Sequence, residues 1–256
     1  MILVPEIGQP GITFVGGHPF TNRFAHVLGL LSLSGETPLV SVAKEPARKP
    51  DAERTRADIL SVARQEFVEH GLNGARVDAI AERTRTTKRM LYYYFGSKEG
   101  LYSAVLQQAY ADIRASEATL PLEDLDPLTA LRRLIEFTFD YEDSHPDFVR
   151  LIAIENVHQA QYLTRLPTIQ SVNANVITTL DSILTRGRAE GVFGRECAAV
   201  DVHLMISGLC FYRVSNRHTF GAIFGCDLSA TEVRARHKAM IVETVVGWVI
   251  GSAPLR

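Results

Sequence analysis

Lys88 and Arg89, three consecutive tyrosines at 92–94 and Lys98 are the residues whose types and spacing point most directly to chemistry. That chemistry is recognition of a polyanion. Guanidinium and ammonium groups pair with guanine O6 and N7 in the DNA major groove, while tyrosines and lysines also reach phosphate oxygens. Thr86 and Thr87 stand just before the two cations, and a hydroxyl at Thr87 can accept a backbone N–H and start a helix. Leu91 and Phe95, one turn apart, give that helix a buried face, and Tyr93 follows Arg89 by one turn on another. Upstream, Val77, Ile80, Ala81 and Thr84 fall at i, i+3, i+4 and i+7, which predicts a short amphipathic helix. Arg85 and Thr86 break its rhythm. Two short helices joined by a tight turn, the second with cations and tyrosines outward, make a helix-turn-helix DNA reader.

The segments around this reader are laid out to position it. A helix begins near Glu53, carries Ile59, Leu60, Ala63 and Phe67 on one stripe, and stops at Gly71 in a left-handed conformation. Thr55 and Arg56 near its start either meet a phosphate, where free N–H groups and the helix dipole favour anions, or face solvent. After Phe95, Gly96 makes a turn and Ser97 can cap a longer helix through Leu101, Val105, Ala109 and Ile113.

Residues 53–101 resemble the DNA-binding domain of TetR-type (Tet repressor family) transcriptional regulators. The shared pattern is Ile59, Leu60, Phe67, Gly71, Ile80, Ala81, Leu91, Tyr92, Phe95, Lys98 and Leu101 at matching spacing. The resemblance implies an all-α fold with an N-terminal three-helix DNA-binding domain at 51–101. It implies a helical effector-binding and dimerisation domain at 102–256. It further implies a transcriptional repressor that binds a palindromic double-stranded operator as a homodimer and is released by a small-molecule effector. Lys98 matches the family's phosphate-contacting lysine. Two positions depart from the pattern: Arg76 stands where the family has a capping Ser or Thr, and Arg85 where it has a small turn residue. Each adds a cation near DNA and gives up a cap or an easy positive φ. The DNA-contacting set is therefore Thr55, Arg76, Thr86, Thr87, Lys88, Arg89, Tyr92, Tyr93, Tyr94 and Lys98. Thr87, Lys88 and Arg89, at the N-terminal turn of the recognition helix, are the base-edge readers.

The remaining chain reads as helices. Pro121 and Pro127 bracket an acidic loop, and four or five helices follow, broken at Ser144–Pro146, Leu166–Pro167, Gly191–Gly194 and across Ser215–Ser229. Phe137, Phe139, Tyr141, Phe148, His158 and Tyr162 are placed to surround an effector pocket or to pack as plain core. The last two helices, near Ala199–Val214 and Thr231–Ile250, are apolar on more than one face. Met205, Leu209, Tyr212, Met240, Ile241, Val245 and Trp248 are expected either at a dimer interface, as in the family, or in a large single-chain core.

Composition closes off other classes. With 46% hydrophobic residues, 22% charged and a net charge of −2, the 256-residue chain can bury a core and is no general polyanion binder. Between Lys44 and Gly100, however, Lys and Arg outnumber Asp and Glu by about three, concentrating positive charge on the reader. Cys197, Cys210 and Cys226 are too few for a disulfide framework and fit a reducing cytoplasm. No apolar run approaches the ~20 residues of a membrane span, so no membrane partner is expected. Residues 1–50, rich in Pro and Gly and ending in Lys44, Arg48 and Lys49, read as a disordered tail, an upstream-assigned start, or a basic arm along DNA. Glu155 and His158 have the Glu-x-x-His spacing of di-iron bundles, which Glu142 and His145 repeat, but those bundles also need two further glutamates facing inward, and the sequence marks none. Neither a Gly-x-Ser-x-Gly nor a Gly-rich phosphate loop is present, so no cofactor is expected, and a metalloenzyme or an effector-free DNA-binding dimer are the rival readings.

Overall fold

The computed structural model describes residues 49–251, which form ten α-helices, one short 3₁₀ turn and no strand among the described residues. The expectations for residues 1–48 lie outside them.

Helix α1 (Lys49–Gly74) buries Ile59, Leu60, Ala63 and Phe67 on the stripe the sequence spaces at fours. It breaks at Gly71, whose φ of 68° and ψ of 175° are open essentially to glycine alone. Because α1 starts at Lys49 and not near Glu53, Thr55 lies in the second turn, away from the free N–H groups of the helix end. Helices α2 (Val77–Arg83) and α3 (Lys88–Phe95) follow with the expected turn between them. The long α4 (Lys98–Glu117) packs against α1, and the Ser97 hydroxyl accepts its first-turn Gly100 N–H at 2.9 Å.

The C-terminal helices are α5 (Pro127–Ser144), α6 (Pro146–Val157), α7 (Ile169–Ala189), α8 (Ala199–Ser215), α9 (Arg217–Phe224) and α10 (Thr231–Ile250). Asp126 caps α5 by accepting the Thr129 N–H at 3.0 Å, with Pro127 fitting its first turn. Six helices follow the acidic loop where four or five are expected, because the stretch read as a break at Ser215–Ser229 itself contains α9. That helix buries none of its residues, so the apolar periodicity by which buried helices are recognised gives little signal.

Two hydrophobic clusters hold these helices. One joins α1–α4 to Tyr141, Phe148, Val149, Leu151 and Tyr162, so the core of the reader continues into α6 and does not end at Leu101. The other packs α5, α7, α8 and α10 through Leu131, Leu134, Phe139, Leu180, Val202, Ile206 and Val245. Gly187 makes room within it: a Cβ there would lie 2.0 Å from the Phe193 ring. No described helix is long and apolar enough to cross a membrane.

Candidate nucleic-acid interface

The recognition helix is assembled as its sequence dictates. Thr87 takes an extended backbone (φ −112°, ψ 150°) and its hydroxyl accepts the Met90 N–H at 3.2 Å, fixing where α3 starts. Leu91 is fully buried, anchoring the helix, while Phe95 is half-buried beneath the Arg56 guanidinium, 5.4 Å from the ring centroid. Lys88, Arg89, Tyr92 and Tyr93 all reach solvent, Tyr93 at 78% exposure. Tyr94 is half-buried, its ring edge-on to Tyr93 at 5.5 Å. Lys88 Nζ lies 3.2 Å from Asp78, an exposed pair that salt and a competing phosphate readily displace.

The departures at Arg76 and Arg85 have visible structural consequences. Arg76 occupies the cap position of α2 and makes no side-chain cap. Its backbone N–H donates instead to Glu66 Oε1 at 3.0 Å, and Glu66, only 4% exposed, also lies 3.7 Å from Arg83. A carboxylate on α1, ten residues earlier, thus satisfies the N–H of the cap residue itself, as the glutamate of a capping box would, while the first-turn N–H groups that a serine hydroxyl would accept gain no side-chain cap. Arg85 sits at φ 52°, the left-handed region that costs a side-chain-bearing residue roughly 1–2 kcal/mol. Thr86 is half-buried, sharing a 3.1 Å hydrogen bond with Thr84. Lys98 donates to Asn73 O at 3.1 Å, tying α4 to the α1–α2 connection. The Thr55 hydroxyl donates back to Asp51 O at 2.8 Å, turned into its own helix.

Beyond the reader, the aromatics expected to ring a pocket pack largely on one another. Tyr141 lies between Phe137 at 5.8 Å and Phe148 at 6.0 Å, Phe148 also meets Tyr110 at 5.7 Å, and Tyr162 meets Tyr102 at 5.3 Å and His158 at 6.1 Å. Tyr141, Phe148 and Tyr162 are buried parts of the core shared with the reader, and Tyr141 also borders an open cleft with Arg64, Asp112, His145 and Asp147. Glu155 is 1% exposed and accepts the N–H groups of Tyr162 and Leu163 at 2.8 and 3.0 Å; the Glu-x-x-His spacing serves a cap on the following turn. Among the described residues no three His, Cys, Asp or Glu side chains gather as a metal site.

The residues expected at a dimer interface divide. Leu209, Tyr212 and Met240 are exposed, Met205 and Trp248 half-buried, with the Arg195 guanidinium 4.7 Å over the Trp248 ring. Ile241 and Val245, at 3% and 0% exposure, belong to the chain's own core and are not surface residues. Leu204, 70% exposed on the outer side of α8, joins the exposed set. All-round apolarity marked these helices as packed, but only the fold tells which face each residue uses.

Comparison with known proteins agrees with this architecture. Residues 59–105 match the family described as "Bacterial regulatory proteins, tetR family", and residues 127–245 match "Tetracyclin repressor-like, C-terminal domain". The HTH-type transcriptional repressor NicS of Pseudomonas putida is 36% identical over 192 residues, covering 75% of this chain and 91% of NicS. The crystal structure of the transcriptional regulator SCO4942 from Streptomyces coelicolor superposes with a TM-score of 0.58 at 28% identity, over 76% of this chain and 97% of that one. AibR, solved with isovaleryl coenzyme A and operator DNA, shares the fold at a TM-score of 0.55 and 16% identity, over 74% of this chain and 97% of that one. With its reader and its C-terminal helices both matched, the chain belongs to the TetR family of transcriptional regulators.

Proposed function

We propose that the protein is a repressor that holds a palindromic operator as a homodimer and leaves it when a small molecule binds among the C-terminal helices. The observation that carries this reading is the outer face of α3. Its N-terminal turn is capped by Thr87, its Leu91 is buried, and Lys88, Arg89 and Tyr93 stand free of the core. Inserted in a major groove, Thr87, Lys88 and Arg89 face base edges; Arg76, Tyr92, Tyr94 and Lys98 lie toward phosphates, which set register. One such helix reads only a few base pairs, so selectivity requires two, spaced by about 34 Å or a multiple. The exposed Leu204, Leu209 and Tyr212 of α8, with Met240 of α10, supply an apolar surface for the second copy. NicS is named a repressor, which favours repression over activation.

Selection of bound sequences from random DNA, followed by footprinting and mass measurement of the complex, tests the reading. The expected result is an inverted repeat protected by two copies. A non-palindromic site held by one copy removes the dimer; loss of all sequence preference removes the reader.

A further inference from the structure

A cleft of about 310 Å³ opens between the C-terminal end of α4, the loop after it and α7. This lies within the size range of small-molecule sites. Its walls include Leu122 and Val176 on the apolar side and Arg114, Glu117 and Glu123 on the charged side. Glu117 is 8% exposed. Arg114 Nη1 meets its Oε2 at 2.5 Å, while Glu117 Oε1 and Arg114 Nε have no hydrogen-bond partner. A second carboxyl, Glu142 of α5, is 5% exposed and within electrostatic reach of Arg114, and its Oε2 is unpartnered. Buried polar atoms are almost always satisfied, so this many in one place calls for an explanation.

We propose that this cleft is the effector site of the chain and that it selects small organic cations, with Glu117 as their counter-ion. The assignment rests on the effector-released reading above. Two buried carboxyls share the single guanidinium of Arg114, and Glu123 at the rim adds a third acid. An incoming cation supplies a second positive charge, with which both buried carboxyls can be ionised. A carboxylate ligand would meet Glu117 and Glu123 and have to break the Arg114–Glu117 pair, and an apolar ligand would leave Glu117 Oε1 and Glu142 Oε2 unsatisfied.

The other groups around the pair agree. Burial pushes the Glu142 carboxyl up to about 8 while Arg114 opposes the rise, so at neutral pH Glu142 is held protonated for want of a cation of its own. Burial also raises Glu117 against the pull of Arg114. Burial and then the Arg114 charge lower the His203 imidazole, keeping it from filling the gap, and burial together with Glu142 raises the Cys210 thiol. Tyr110 and Tyr141 are the remaining titratable groups near Arg114, and burial raises both hydroxyls. When a cation takes over Glu117, the Arg114 charge becomes available to Glu142, which then releases its proton.

The test is calorimetry on the full-length protein with choline and benzylamine, against benzyl alcohol and benzoate as neutral and anionic controls. The expected result is binding of an amine with release of about one proton at pH 7, its affinity rising from pH 6 toward 8 for choline, whose own charge does not titrate. Glu117→Gln should weaken the amine about tenfold or more. Ala118→Phe, at an exposed position on the rim, should block it without touching the core. Glu142→Gln should leave binding and abolish proton release. Failure of both amines to bind, preference for benzoate or benzyl alcohol, or amine binding undiminished in both cleft variants overturns the assignment. Effector control is judged separately, by DNA release in a screen of cell metabolites. A neutral or anionic compound that frees the DNA overturns the cation assignment alone, whereas a screen in which no compound alters DNA binding removes effector control.

Discussion

The reader and the C-terminal bundle both carry many charges and place them oppositely. On α3 the cations lie outside: Lys88 is half-exposed beside an exposed Asp78, and Arg89 is exposed with no partner among the described residues. In the bundle, Arg213 is 5% exposed, bonded to Asp143 and donating to Leu228 O at 2.5 Å. Asp143 also takes Arg234 Nε at 2.7 Å, and Asp140 takes Arg234 and, at 2.6 Å, Lys238. Both arginines lie over the Phe139 ring, at 4.6 and 5.4 Å. An exposed cation is loosely held and stays available to phosphate. A buried one is fixed by its partners, and here it fastens α5 to α8 and α10, the last two being the helices proposed to meet a second copy. Charge is a contact in one half and a joint in the other.

Removing a joint should therefore cost more than removing a contact. Arg213→Met takes one partner from a buried network, which typically costs 3–5 kcal/mol. Because Asp143 keeps Arg234, the expected loss is nearer about 3 kcal/mol, read as a lower urea midpoint at unchanged slope. A loss below about 1 kcal/mol would place Arg213 among ordinary surface ion pairs and break the contrast.

The converse experiment is Lys88→Gln and Arg89→Gln. Each should weaken specific DNA binding by about 1–3 kcal/mol if it reads a base and leave thermal stability within about 0.5 kcal/mol. Fluorescence anisotropy over a salt series separates the two roles. A phosphate contact lowers affinity on every sequence and flattens the salt slope by about one, whereas a base contact relaxes preference at one position.

The same division explains how far the sequence was readable. The reader's elements depend on local signals: Thr87 and Ser97 cap where they should, Leu91 is buried, and Gly71 and Gly96 take positive φ. Even the lost cap at Arg76 could be foreseen, because it depends on one residue. The Glu66 carboxylate that accepts the Arg76 N–H could not, since it is ten positions away and only the packing of α1 on α2 brings it near. The bundle is governed by such distant pairings. Asp143 meets Arg213 and Arg234 across 70 and 91 residues, and no periodicity announces either pair. The aromatics named for a pocket pack largely on one another, and the sequence could not say so for a related reason: ring spacing along a helix says which side is apolar, not whether that side faces a cavity or another ring. The Arg114, Glu117 and Glu142 group went unread because its charges fall on two helices, and nothing in the sequence marks them as buried.

A pH series probes the bundle's buried charge without perturbing the reader. Glu142 has a folded-state value near 8, above the ordinary carboxyl range, so the folded protein binds its proton more tightly than the unfolded chain does. Stability from this group is full below the unfolded value, about 4.3, and is lost as pH rises toward 8, at up to about 1.4 kcal/mol per pH unit. Glu142→Gln should remove that slope, gaining on wild type most at pH 8 and least at pH 5 in paired denaturation curves. Parallel curves across that range would mean that the carboxyl finds a partner on folding.

The smallest effects should come from the two positions where the reader departs from its family, and they pull stability and binding apart. Arg85 holds φ 52° at the expense of side-chain strain, and glycine takes that conformation freely. Arg85→Gly should raise stability by about 0.5–1 kcal/mol once the greater freedom of an unfolded glycine is set against the relieved strain. At Arg76 a serine would add a hydroxyl cap to a helix end that Glu66 already serves in part, so Arg76→Ser should gain no more than about 0.5–1 kcal/mol. Both variants give up a cation beside DNA, and each should lower affinity on all sequences alike while reducing the salt slope by about one. If instead either change sharpened or shifted sequence preference, its arginine would be reading bases, and the separation between outward contacts and structural anchors would need redrawing inside the reader itself.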